Sequence, residues 1–182
     1  MKTLPVRFRT LAVFSLLPLA AACGRDGTGP VTLTPEQVSG DYRICSLAFS
    51  PEGSAPPAVD IHAALETDAS RLEILQNRQF GFVYKQPTLP TRTVTGSYIT
   101  GTTDMRLDLP ATQEARALLL PSRIFLDFNA QTRHLTVSQA QGVYTVRKAD
   151  YEALTGRSEP NITDDIRGRL TGQLIPRDGT CG

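Results

Sequence analysis

The chain has 182 residues, 19 of them basic and 18 acidic, for a formal charge of +1. So even a balance supplies neither the basic face that nucleic acid requires nor an acidic field that gathers cations. Tryptophan is absent and aromatics are few, while Thr, Val and Leu recur, which favours strands over helices.

The first element is an export signal. Lys2, Arg7 and Arg9 precede an apolar run over residues 11–23, read LAVFSLLPLAAAC. That run is shorter than the roughly 20 residues a membrane span needs, and Pro18 interrupts it. A basic start, a short apolar core and small residues at its end make residues 1–22 a secretory signal peptide. Two processing outcomes stay open. Ala20-Ala21-Ala22 suits an ordinary peptidase, which would release a soluble periplasmic or secreted protein. Leu19-Ala20-Ala21-Ala22-Cys23-Gly24 instead resembles the lipobox of bacterial lipoproteins, with Ala20 where that family usually has leucine.

The resemblance implies cleavage before Cys23, acylation of that cysteine and a membrane as partner. Each buried CH₂ adds about 0.8 kcal/mol and one chain holds only marginally; the two or three chains of this family imply long-lived attachment. Gly24, rather than aspartate, follows the cysteine, which by the same resemblance implies the outer membrane of the cell envelope. The mature chain would keep 160 residues, 16 basic against 18 acidic, a net charge of −2. That length suits one domain burying about two thirds of its unfolded surface. With Cys23 taken by lipid, Cys45 and Cys181 remain as an even pair in an oxidising compartment. Their disulfide would contribute roughly 5 kcal/mol at most and would make the first strand and the C-terminus neighbours. The alternative is two free thiols.

Residues 23–33 read as lipidated cysteine and flexible tether, rich in Gly and polar groups. The single domain runs over 34–182. Thr34, Pro35 and Gln37 start a helix of about one turn, which Ser39-Gly40 stops. Strands are expected at 41–49 and 59–66, the latter with Val59, Ile61, Ala63 and Leu65 on one face. Segments 71–76 and 79–85 form a hairpin across Asn77-Arg78. Strands at 91–100 and 104–109 follow. Residues 111–120 are a short helix or turn leading into strand. A strand at 122–128 is followed by a hairpin of 133–138 with 142–148. A brief helix over 150–155, capped by Asp150 and ended by Gly156, leads to a last strand with Ile166, Gly168, Leu170, Gly172 and Leu174 on one face.

Nine or ten short strands at regular spacing predict an all-β fold, an antiparallel up-and-down barrel of roughly 8–10 strands. Gly40-x-Tyr42, Gly96-x-Tyr98 and Gly142-x-Tyr144 place a glycine and a ring on one face. They read either as a ligand-gripping set or as glycine bends filled by aromatics. The helix before Gly40-Asp41-Tyr42, the meander and the late helix resemble the lipocalin-like barrels of bacterial lipoproteins. Gly-x-Tyr stands where true lipocalins carry Gly-x-Trp.

No nucleophile elbow, phosphate loop, dinucleotide fingerprint or zinc motif is present, so neither an enzyme nor a cofactor is expected. His62 and His134 read as surface residues on separate strands, and Asp164-Asp165 as solvated loop charge. Arg167 and Arg169 read as outward charges that blunt a strand. The leading expectation is a barrel that binds a small apolar ligand among Tyr42, Phe80, Phe82, Tyr84, Tyr98 and Tyr144, implied by the lipocalin resemblance. The second is a solid, tethered module that contacts an envelope protein.

Overall fold

The computed structural model describes residues 32–53 and 56–181. The signal peptide, Cys23 and nearly all of the tether lie outside the described residues.

Among the described residues ten strands are formed: β1 (Gly40–Pro51), β2 (Val59–Asp60), β3 (Arg71–Ile74), β4 (Gln79–Tyr84), β5 (Arg92–Thr100), β6 (Asp104–Asp108), β7 (Arg123–Phe128), β8 (Leu135–Val137), β9 (Tyr144–Val146) and β10 (Ile166–Pro176). Eight of them, β1-β3-β4-β5-β6-β7-β8-β10, make an antiparallel meander that closes because β10 pairs with β1. That seam runs from Tyr42 opposite Pro176 to Pro51 opposite Gly168. Closure removes the exposed edges that an open sheet would present.

The alternation of the sequence sets the inward face. In β7 (RIFLDF) Ile124, Leu126 and Phe128 are buried, while Arg123 and Asp127 are exposed. In β6, Met105 and Leu107 point the same way between charged residues. One continuous cluster of buried side chains fills the interior from end to end. Fully burying a Val, Leu, Ile or Phe contributes about 1.5–3 kcal/mol, so this cluster is the main source of cohesion.

Short helices cover both ends. At one end, α1 (Pro35–Val38) follows Thr34, whose N–H donates to Gln37 Oε1 at 2.7 Å, as the capping pattern predicts. Val38 is fully buried there. Leu33 donates its N–H to the Gly101 carbonyl at 2.8 Å, tying this segment to the β5–β6 turn. At the other end lie α2 (Gln113–Ala117) and α3 (Lys148–Thr155). Thr112 Oγ1 accepts from Ala115 N at 3.2 Å to start α2. Gly156, in a left-handed conformation at φ 65°, ends α3 as its sequence predicts. The helix begins two residues earlier than expected, after Arg147, and Asp150 is ion-paired to Arg147 instead of capping.

Three sequence expectations are corrected. Residues 59–66 do not form one strand: β2 covers only Val59–Asp60, and a 3₁₀ turn follows over His62–Ala64. The Asp60 carboxylate accepts from Ala63 N at 3.0 Å, a local bond that competes with the ladder. Val59, Ile61 and Leu65 are still buried, but Ala63 is exposed. β2 and β3 lie along the same edge of β1, opposite Ala48–Phe49 and Gly40–Arg43. They are one strand interrupted by residues 61–70.

The expected hairpin of 133–138 with 142–148 is likewise absent. β8 and β9 both pair with one edge of β10, Leu135 opposite Leu174 and Tyr144 opposite Gly168. They are a second interrupted strand. Between them Gln141, 5 % exposed, takes over the missing ladder with its side chain. Its Oε1 accepts from Phe125 N at 2.9 Å and its Nε2 donates to the Arg123 carbonyl at 3.2 Å. Residues 118–120 form no strand either; all three leucines are buried beneath the α2 end of the barrel.

The disulfide is formed between Cys45 and Cys181, with Cα atoms 5.4 Å apart. Cys45 sits at the bulge where the β1–β10 register shifts between Ile44 and Ser46.

Candidate functional site

The aromatic set expected to grip a ligand lies inside the filled barrel. Tyr42, Phe80, Tyr84 and Tyr98 are each 1 % exposed and Phe82 4 %; Tyr144 is partly buried against the same cluster. Phe80 stands opposite Gly96 in register, and its ring occupies the space a side chain at Gly96 would need. Phe49 covers Gly168 in the same way and meets the Tyr144 ring edge-on, with centroids 5.4 Å apart. Phe82 and Tyr84 are tilted neighbours at 6.4 Å.

Each tyrosine hydroxyl donates to a backbone carbonyl of a segment that covers the barrel or turns at its end. At the α1 end, Tyr42 bonds the Val38 carbonyl at 2.7 Å and Tyr98 the Leu75 carbonyl at 2.7 Å. At the other end, Tyr84 bonds Glu114 at 3.1 Å and Tyr144 bonds Leu119 at 2.7 Å. Tyr151 of α3, fully buried, bonds the Pro57 carbonyl at 2.7 Å. Burial pushes the phenols of Tyr42, Tyr84, Tyr98, Tyr144 and Tyr151 above their ordinary range, which keeps them protonated as donors. These are latches, and all five tyrosines of the chain serve as them. Tyr151 and Gln141 were not singled out by their sequence context, because both bond to partners supplied by tertiary contact.

The grooves lie on the outside. One of about 390 Å³ crosses the outer wall of β3, β4 and β5 between Leu75, Gln79, Thr95 and Ser97. Another of about 320 Å³ lies between Glu52, Pro56 and Ile162. A third, of about 200 Å³, is lined by Arg43, Arg71 and Arg177 with Thr67, Asp68 and Ser70.

His62 and His134 are both partly exposed and are not brought together, since His62 follows β2 and His134 lies in the β7–β8 turn. Asp164 and Asp165 are exposed before β10. Arg167 and Arg169 point outward from β10, Arg167 within 3.5 Å of Glu52. Among the described residues no group of three His, Cys, Asp or Glu could hold a metal ion, and no helix is long and apolar enough to cross a membrane.

The fold defines a closed, eight-stranded, up-and-down antiparallel barrel of lipocalin-like architecture, with a filled core and a latched cover at each end. Comparison with protein-family models, with curated proteins and with solved structures gives no match.

Proposed function

We propose that the protein is an envelope lipoprotein whose barrel serves as an interaction module, held by acyl chains on Cys23 and presenting its outer wall to other envelope components. The observation that carries this reading is the continuous apolar cluster through the barrel, together with tyrosine hydroxyls already engaged by the chain's own carbonyls. A carrier needs a largely pre-formed pocket of several hundred Å³, whereas the groove of about 390 Å³ lies on the outer face of β3, β4 and β5. The lipobox resemblance supports the anchor, and Gly24 supports the outer membrane. Leu33 lies at the α1 end of the barrel, so the tether would leave from there.

Two measurements test this. Mass spectrometry of the mature N-terminus reads the anchor, and an unmodified Cys23 refutes it. Crosslinking in cells, followed by purification, reads the module: a defined partner band is expected, and recovery of the lone monomer overturns it. Saturable uptake of an apolar fluorophore by the purified protein would instead favour the carrier.

A further inference from the structure

Arg43 and Arg71 stand directly opposite one another, in register between β1 and β3, on the outer wall. Like charges opposite each other in an antiparallel pair repel and destabilise it. Arg71 is offset by Glu73, whose Oε1 accepts from Arg71 Nε at 2.7 Å. Arg177 comes only within 3.9 Å of Asp41. Arg43 makes one hydrogen bond, from Nη1 to the Gly179 carbonyl at 3.4 Å, and no ion pair among the described residues.

Arg43, Arg71 and Arg177 together line a concave groove of about 200 Å³ with Thr67, Asp68 and Ser70. Ser70 is 3 % exposed, and its Oγ accepts from Lys85 N at 3.1 Å, which leaves the hydroxyl proton available to a ligand. The geometry is held firmly. Arg43 and Arg71 lie on paired strands, and Arg177 belongs to a tail pinned by the Cys45–Cys181 bridge.

We infer that this groove binds a phosphate group carried on a small polar substituent. Guanidinium forks match phosphate oxygens bidentately, and such charge-assisted bonds are short and strong. A tetrahedral anion can face three forks and a hydroxyl at once, whereas a planar carboxylate engages two. Seating it between Arg43 and Arg71 replaces their repulsion with two attractions. Asp68, the acid in the lining, accepts from a hydroxyl or ammonium on the substituent. Asp41, Asp68 and Glu73 offset the arginines around the groove, so recognition rests on fork geometry and not on a broad positive field. The phosphate can come from a phospholipid headgroup or from a soluble ester. The inference does not depend on acylation of Cys23.

The test uses the full chain with Cys23→Ser, which takes no acyl chain. It is titrated with inorganic phosphate and glycerol 3-phosphate under ³¹P NMR, and sedimented with phosphatidylcholine vesicles with and without phosphatidic acid. Saturable binding is expected, weakened about tenfold or more by Arg43→Gln, the loss of one charge-assisted partner. Asp68→Asn is expected to tighten inorganic phosphate binding, a gain that misfolding cannot imitate. Arg123→Gln, on β7 away from the groove, should leave it unchanged. Saturation by soluble esters without vesicle preference assigns a soluble ligand; Arg43-dependent retention on phosphatidic acid vesicles alone assigns a headgroup. Absence of saturation in both arms, or an Arg43→Gln protein that binds like the parent, overturns the inference.

Discussion

The hydroxyl of Tyr144 donates to the carbonyl of Leu119 at 2.7 Å, and Leu119 holds a left-handed backbone at φ 54°. That conformation costs a non-glycine residue about 1–2 kcal/mol. It persists because the residue is over-determined: its side chain is 1 % exposed in the core, and its carbonyl is taken by the Tyr144 hydroxyl from β9. The α2 cover is thus fastened to the barrel by a strained leucine and a tyrosine together. Tyr144→Phe keeps the ring against Phe49 but leaves the carbonyl without its partner. A loss of about 1–3 kcal/mol is expected, and about 2–4 °C in Tm for each kcal/mol in a domain of this size. Thermal unfolding followed by circular dichroism reads it, and an unchanged Tm would show the latch to be idle.

The same latches set a pH limit. All five tyrosines have phenol pKa values raised by burial above the ordinary 10.0. The unfolded chain therefore releases these protons before the folded one does. Their contribution is complete below the unfolded value of about 10 and is lost as pH rises through the raised folded values. Alkaline titration should show tyrosinate absorbance emerging together with loss of the β-sheet signal. Ionisation of all five in a barrel that keeps its fold would contradict the buried donor role.

The three Gly-x-Tyr repeats look alike in sequence but differ in space. A Cβ at Gly96 would meet the Asp108 carbonyl and come within 2.6 Å of the Phe80 ring, whereas one at Gly142 meets nothing within 4 Å. Gly96→Ala is expected to cost about 1–3 kcal/mol through overpacking. Gly142→Ala, with no positive φ to oppose it, should gain about 0.4–1 kcal/mol by restricting the unfolded chain. Chemical denaturation of the pair, with equal slopes, measures the difference; equal midpoints would mean the close packing at Gly96 relaxes without penalty.

What the sequence conveys follows from what periodicity can record. Strands β5, β6 and β7, the β3–β4 hairpin across Asn77-Arg78 and the inward faces were legible, because alternation reports which face a residue shows. It does not report the partner. β8 and β9 carry the alternation of a hairpin yet share one edge of β10, and β2 and β3 share one edge of β1. The aromatic set was legible as buried. Its role as a set of latches was not, since Tyr84 finds its acceptor 30 residues away and Tyr151 finds its own 94 away. The opposed pair Arg43 and Arg71 was hidden for the same reason: register joins them, and their sequence spacing does not.

Gln141 gives that point a direct test. Its carboxamide replaces ladder bonds to both Phe125 N and the Arg123 carbonyl. Gln141→Leu leaves both groups unpaired, for about 1–3 kcal/mol each, and should speed amide exchange at Phe125. Gln141→Glu separates the two bonds. Its carboxylate can accept from Phe125 but cannot donate to Arg123, and burial raises its pKa. This variant should approach the parent's stability below about pH 4, the unfolded carboxyl range, and fall behind as pH rises through the raised folded value. A variant whose deficit is the same at all pH values would leave only the bond to Phe125 in evidence.

The closing seam ends in a feature outside the core. Ile175 is 2 % exposed but belongs to the outer wall, opposite Arg43, and is absent from the interior cluster. It is covered by the tail, where a Cβ at Gly179 would lie 3.1 Å from Ile175 Cδ1, and the bridge of Cys181 to Cys45 holds that tail down. The disulfide therefore acts at two scales. It closes a loop with a sequence separation of 136, for which the chain-entropy model gives up to about 5 kcal/mol, and it keeps one apolar side chain covered. Cys181→Ser should lower stability by several kcal/mol, about 2–5 for loss of a native disulfide, and should open the segment after Pro176 to protease while β10 stays protected. Arg43 loses its Gly179 acceptor in the same variant. Limited proteolysis with mass readout separates the outcomes: cleavage confined to the tail supports a local cover, and cleavage within β10 itself would show that the seam depends on the bridge.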